Sequence, residues 1–127
     1  MAWVYRQHSG ELFHNGKRVA RGYSGAGRTA GEGRNNHSLE WASHRGPIPS
    51  GKWKIGKAFH HPYKGPVTLP LRPADNNVAY YRDNFLIHGD SRNPTHAGLA
   101  SEGCIILEPH VRHIIDQSSD RDLEVVP

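Results

Sequence analysis

The chain holds one cysteine, Cys104, and upstream of it His88, which closes the apolar run Phe85-Leu86-Ile87. A thiol with a pKa near ~8.5 is mostly protonated at neutral pH, so a cysteine that attacks a carbonyl needs an imidazole or another positive field beside it. Residues 85–88 read as a short buried strand running into Gly89, and residues 104–107 as a second apolar strand opening just after Gly103. Both groups then stand at strand ends. The segment between them carries Asn93-Pro94 and the glycines Gly89, Gly98 and Gly103, and a loop of this length with no obvious structure of its own tends to be functional. Gly103 lets the backbone approach a substrate closely, so the amides of Gly103 and Cys104 are candidates to face a developing oxyanion. Thiol, imidazole and amide donors together make an acyl-transfer site. The competing reading is packing: a lone cysteine beside Ile105, Ile106 and Leu107 is by default a small buried side chain. With ten histidines in the chain, one lying upstream of the cysteine is unremarkable by spacing alone.

The elements that must position this pair are mostly short strands punctuated by turns. Ser9-Gly10 separates residues 3–8 from 11–13, and Asn15-Gly16 separates that run from 17–23, which predicts an N-terminal meander. Residues 24–46, rich in Gly, Asn and Ser, read as a long loop with a turn of helix over 38–43. Further strands are expected over 52–59, 67–71, 79–81 and 123–126. One helix follows the cysteine, with Pro109 in its first turn, Glu108 ahead of it, and Val111, Ile114 and Ile115 on one face. The expectation is a mainly β fold with one short helix.

His88-Gly89 followed by Ser101-x-Gly103-Cys104-Ile105 resembles the active-site signature of the L,D-transpeptidases, cysteine enzymes that remodel bacterial peptidoglycan. The run from Gly46 through Pro47, Ile48, Pro49, Ser50, Gly51 and Lys52 to Trp53 resembles the family's Thr-Pro-x-Gly-x-Phe strand opening, with Ile48 for Thr and Trp53 for Phe. The helix and residues 122–126 resemble the elements that follow the nucleophile, so the likeness spans residues 46–126. It implies a β-sandwich or barrel, a Cys104 nucleophile with His88 as its base, and no cofactor or metal. The implied substrate is a peptidoglycan stem tetrapeptide, attacked at the carbonyl of its third residue, meso-diaminopimelate, with D-alanine leaving. The outcome is L,D-carboxypeptidase action, D-amino acid exchange or cross-linking. Gly103 and Ser101 belong to the same site, Ser101 steadying the loop or His88. Tyr23 and Arg92 are expected to meet substrate carboxylate or backbone, with Gly89 and Asp90 beside them. Two positions depart from the pattern: Glu102 stands where a second histidine is usual, and Ile106 where an Arg or Asn often sits. Gly22-Tyr23-Ser24-Gly25, Asn35-Asn36, Glu40 and the Gly46–Pro49 run further resemble a small branch of type VI secretion effectors. That narrower likeness implies an antibacterial protein delivered by the secretion apparatus to the periplasm of a target cell, and a cognate immunity partner.

At 127 residues, with 35% hydrophobic, the chain is expected to form a single catalytic domain over 1–127. One cysteine excludes an internal disulfide framework. No stretch approaches the ~18 apolar residues of a membrane span, and the first residues lack the layout of a secretory signal. The charge of +4, from 16 Lys and Arg against 12 acids, is mild and unclustered. It suits either approach to an anionic cell wall or simple solubility, with solubility the favoured reading, and argues against nucleic-acid binding. Residues 22–30 approach a phosphate-loop pattern, but Arg28 replaces the required lysine and Ala30-Gly31-Glu32-Gly33 starts no helix. Three alternatives stay open. A zinc hydrolase would draw on His88, Asp90 and His96. A papain-like enzyme usually places its cysteine before its histidine, the reverse of the order here. A non-catalytic wall-binding module would keep the fold and tolerate loss of the thiol.

Overall fold

Asn15 and Gly16 both take positive φ, 52° and 79°, the backbone that a two-residue turn between right-twisting strands requires. In the computed structural model, which describes residues 2–74 and 76–127, they join β2 (Glu11–His14) to β3 (Lys17–Arg21). With β1 (Trp3–Arg6) these strands form the expected meander. β1 runs parallel to β10 (Asp122–Val126), and β10 antiparallel to β5 (Gly51–Ile55), which sets Trp3 opposite Leu123 and Leu123 opposite Trp53. Strand alternation then turns Trp3, Tyr5, Trp53, Ile55, Leu123 and Val125 inward, none more than 5% exposed. Their burial against Leu69, Ile87, Ile105 and Ile115 makes the core.

β7 (Gly65–Pro73) is long enough to serve both halves of the sheet: Leu71, Arg72 and Pro73 pair with β5, while Leu69 and Pro70 pair with β8 (Leu86–His88). β8 runs parallel to β9 (Ile105–Ile106), and β9 antiparallel to β4 (Tyr23–Ser24). The strand order is therefore β3-β2-β1-β10-β5-β7-β8-β9-β4, with β6 (Phe59–His61) paired to β7 off this path. The two ends of that order, β3 and β4, are consecutive in the chain with only Gly22 between them, so the sheet curls into a nearly closed barrel. Gly22 is the corner. Its N–H donates to the Gly10 carbonyl at 2.8 Å, and a Cβ there would lie 1.8 Å from the Ile106 carbonyl oxygen, which leaves room for glycine alone.

The fold is mainly β with one helix, α1 (Pro109–Gln117), packed against β7. Pro109 occupies its first turn, where a missing N–H costs nothing. Its inward face differs from the expected one. Val111 and Ile115 are buried, but Ile114 is 50% exposed and Arg112 lies inside instead. Two strand expectations also change. Residues 52–59 divide at Gly56, whose N–H is taken by the Pro70 carbonyl at 2.8 Å, so β5 ends before β6 begins. Residues 79–81 form a turn, because Tyr80 and Tyr81 take φ of 54° and 58°, outside the strand region. The high β propensity of tyrosine loses to the bond from the Tyr80 hydroxyl to Glu40 Oε2, 2.8 Å.

Candidate active site

β8 and β9 bring the two ends of the site together. Ile87 pairs with Ile105 and both point into the core, so the alternate residues His88, Cys104 and Ile106 turn to the opposite face. A cleft of about 1850 Å³ opens over that face. Cys104, His88, Gly103, Tyr23, Gly89, Asp90 and Arg92 all line it, whereas Ser101 lies beneath the wall. Pockets for small ligands run to roughly 300–1,000 Å³, so this one is large enough for an extended chain.

His88 is 1% exposed. Its Nδ1 lies 2.8 Å from the Gly89 carbonyl; a carbonyl only accepts, so Nδ1 carries the proton and Nε2 the lone pair. That Nε2 is buried and has no hydrogen-bond partner among the described residues, an uncommon state for a buried polar atom. Burial lowers the imidazole to about 4, with Lys64, Arg112 and His61 adding to the fall against the pull of the Gly89 carbonyl. The ring is therefore neutral at physiological pH.

Cys104 is the one free thiol of the chain and is half-buried. Its Sγ donates to the Asn84 carbonyl at 3.7 Å rather than to His88. Burial raises its pKa, opposed by the Leu86 amide, Lys64 and Arg82. The pair rests as neutral thiol and neutral imidazole.

The loop from Gly89 to Glu102 is pinned across the cleft. The Tyr23 hydroxyl donates to Asp90 Oδ1 at 2.8 Å and accepts from the Ala100 amide at 3.0 Å. Asp90 also accepts from the amides of Ser91 and Gly98, which holds its carboxyl below the usual range despite the opposing effect of burial. Arg34 stacks on the Tyr23 ring at 3.9 Å and donates to the Gly98 carbonyl at 2.7 Å. The polar groups of Tyr23 and Asp90 are thus engaged in shaping the loop, while Arg92 stays exposed on the cleft wall. Ser101 Oγ donates to the Cys104 carbonyl at 2.7 Å and accepts from Gly25 and Gly103 amides at 2.9 and 3.1 Å. It steadies the turn before the cysteine and makes no bond to His88. The Gly103 amide, expected to face an oxyanion, is occupied by that serine, which leaves the Cys104 amide as the candidate donor.

Arg82 carries no motif in the sequence, yet it organises the floor beneath Cys104. It is 8% exposed, and its guanidinium donates to the carbonyls of Glu40, Pro47, Gly46 and Glu102. Gly103 takes φ of 142°, and a Cβ there would lie 2.5 Å from Arg82 Nη2, so the arginine and the glycine define each other. Glu40 completes the support: Oε1 accepts from Gln7 Nε2 at 2.9 Å and from the Ser50 amide at 2.8 Å. These bonds join residues far apart in sequence, and no local pattern announces them.

Among the described residues no group of three or more His, Cys, Asp or Glu is placed to hold a metal ion, so His88, Asp90 and His96 do not assemble as a chelating set. No helix among them is long and apolar enough to cross a membrane. Residues 3–126 match the family model described as YkuD, the L,D-transpeptidase catalytic domain. Comparisons with curated proteins and with solved structures returned no match.

Proposed function

Since the chain belongs to the L,D-transpeptidase catalytic-domain family over residues 3–126, and so is a peptidoglycan enzyme of that type, we propose that Cys104 is its nucleophile and His88 its general base. The observation that carries this reading is the imidazole: a buried, unpartnered Nε2 on a ring clamped through Nδ1, sharing one cleft with the free thiol. For Sγ to meet that lone pair, the Cys104 side chain must leave the Asn84 carbonyl.

The thiol proton passes to Nε2 as Sγ bonds to the carbonyl carbon of the third stem residue, and the carbonyl electrons move onto oxygen. The Cys104 amide faces this oxyanion. On collapse the carbon–nitrogen bond breaks, the imidazolium gives its proton to the departing amine, and D-alanine leaves a thioester behind. Water or an amine then attacks that thioester, His88 takes the incoming proton, and the regained thiol closes the cycle. Water yields a tripeptide stem; a D-amino acid yields an exchanged tetrapeptide; a neighbouring stem amine yields a cross-link. Incubation with disaccharide-tetrapeptide, with and without an added D-amino acid, is expected to give a mass loss of one alanine residue or an exchanged mass. An unaltered tetrapeptide mass in both incubations would overturn the reading.

Delivery by a type VI secretion apparatus into the periplasm of a competitor, checked by an immunity protein in the producer, belongs to the same proposal. Its support is the likeness of residues 22–25, 35–36, 40 and 46–49 to such effectors. Expression directed to the periplasm of a bacterial host is expected to arrest growth, and cytoplasmic expression to leave it untouched. Equal growth from the two would remove the effector assignment.

A further inference from the structure

Arg112 is a buried cation. It is 6% exposed, and among the described residues no carboxylate pairs with it. Its Nε donates to the Leu107 carbonyl at 3.1 Å, and its Nη1 to the carbonyls of Pro66 and Val67 at 2.8 and 3.2 Å. Nη2 takes part in none of these bonds. It sits against Gly89, where a Cβ would lie 2.8 Å from it, and both residues line the cleft beside His88. A guanidinium removed from water and left without an anion is costly, and its planar fork is shaped for a carboxylate. The desolvation has already occurred and the side chain is held by three carbonyls, so an anion that binds here orders little further. The exposed Lys64 and Arg92 on the same cleft are solvated and lack that advantage.

We infer that Arg112 binds the free carboxylate of the fourth, departing residue of the stem, and so restricts cleavage to stems that end at that residue. The inference rests on the acyl-transfer reading above. There His88 Nε2 hands its proton to the amine of the departing D-alanine, and the carboxylate of an amino acid is one carbon away from that amine. Gly89 follows His88 in the chain and opens onto Nη2, which places the guanidinium on the leaving-group side. Carboxylates elsewhere on the stem stay with the thioester. Gly89 is glycine because any side chain would close the approach.

The test compares a disaccharide-tetrapeptide ending in a free acid with the same compound ending in a carboxamide. The wild-type protein is expected to favour the acid by roughly 10- to 100-fold in kcat/KM, mostly through KM, the range of one charge-assisted hydrogen-bonded contact. Arg112→Gln is expected to bring the acid down to the level of the amide, so that the ratio of the two rates falls to near one. Should loss of the carbonyl bonds unfold that variant, Gly89→Ala, which crowds Nη2, is expected to erase the same preference. Equal turnover of acid and amide by wild type overturns the inference, as does a folded variant that keeps the preference. Wild-type protein that cleaves neither compound refutes the acyl-transfer reading itself.

Discussion

Cys104→Ala is expected to abolish stem-peptide trimming, with kcat lowered by about 10⁴- to 10⁶-fold, the range seen when an enzymatic nucleophile is deleted. The nearby Ser101 cannot replace it, being 2% exposed with a hydroxyl that bridges three backbone groups. The substitution removes one sulfur whose only side-chain hydrogen bond is the long contact to the Asn84 carbonyl, so stability should change by about 1 kcal/mol or less. Activity and folding thereby separate. Tripeptide formation followed by mass spectrometry, beside a urea titration of each protein, gives both readings. A folded variant that keeps a tenth of the wild-type rate would assign the chemistry to another group.

What the sequence disclosed was local, and what it concealed was long-range. Asn15-Gly16 announced a hairpin because the turn chemistry is contained in two adjacent residues, and Pro109 announced a helix start for the same reason. The thiol and imidazole were legible because the cysteine is single and the two stand at strand ends, His88 closing one apolar run and Cys104 opening another. Arg82 and Arg112 were illegible. Each is a buried arginine bonded to backbone carbonyls that any residue could supply, so their partners leave no trace in composition or spacing. The bond from Tyr23 to Asp90 was equally hidden, because it spans 67 positions. The Gly103 amide shows the same limit: glycine predicts a close approach, and the structure decides that Ser101 and Arg82 are the groups approached. The family resemblance implied the β-sandwich or barrel that periodicity could not, while the parallel pairing of β8 with β9 comes from the structure alone.

His88→Gln is expected to lower kcat/KM by about 10²- to 10⁴-fold, the usual worth of a positioned general base, and to slow alkylation of Cys104 at neutral pH. The glutamine amide can keep a hydrogen bond to the Gly89 carbonyl but cannot take a proton, so a rate preserved in this variant would exclude the imidazole as base. A second signature is thermodynamic. Burial holds the folded imidazole at about 4, while the unfolded chain protonates near the ordinary 6.5. As pH falls through that interval the unfolded state binds a proton that the folded state refuses, and stability falls with it. The loss from this group between pH 7 and pH 5 is about 2 kcal/mol for a shift of this size. The carboxylates whose pKa values are depressed, Glu40 and Asp90 among them, lose their contribution only at lower pH, below their ordinary values near 4. The interval above is thus free of them. Urea unfolding at pH 7 and pH 5 is expected to show a smaller difference for His88→Gln than for wild type. An identical difference in the two proteins would mean that the imidazole protonates as readily in the folded as in the unfolded state, which removes the buried lone pair.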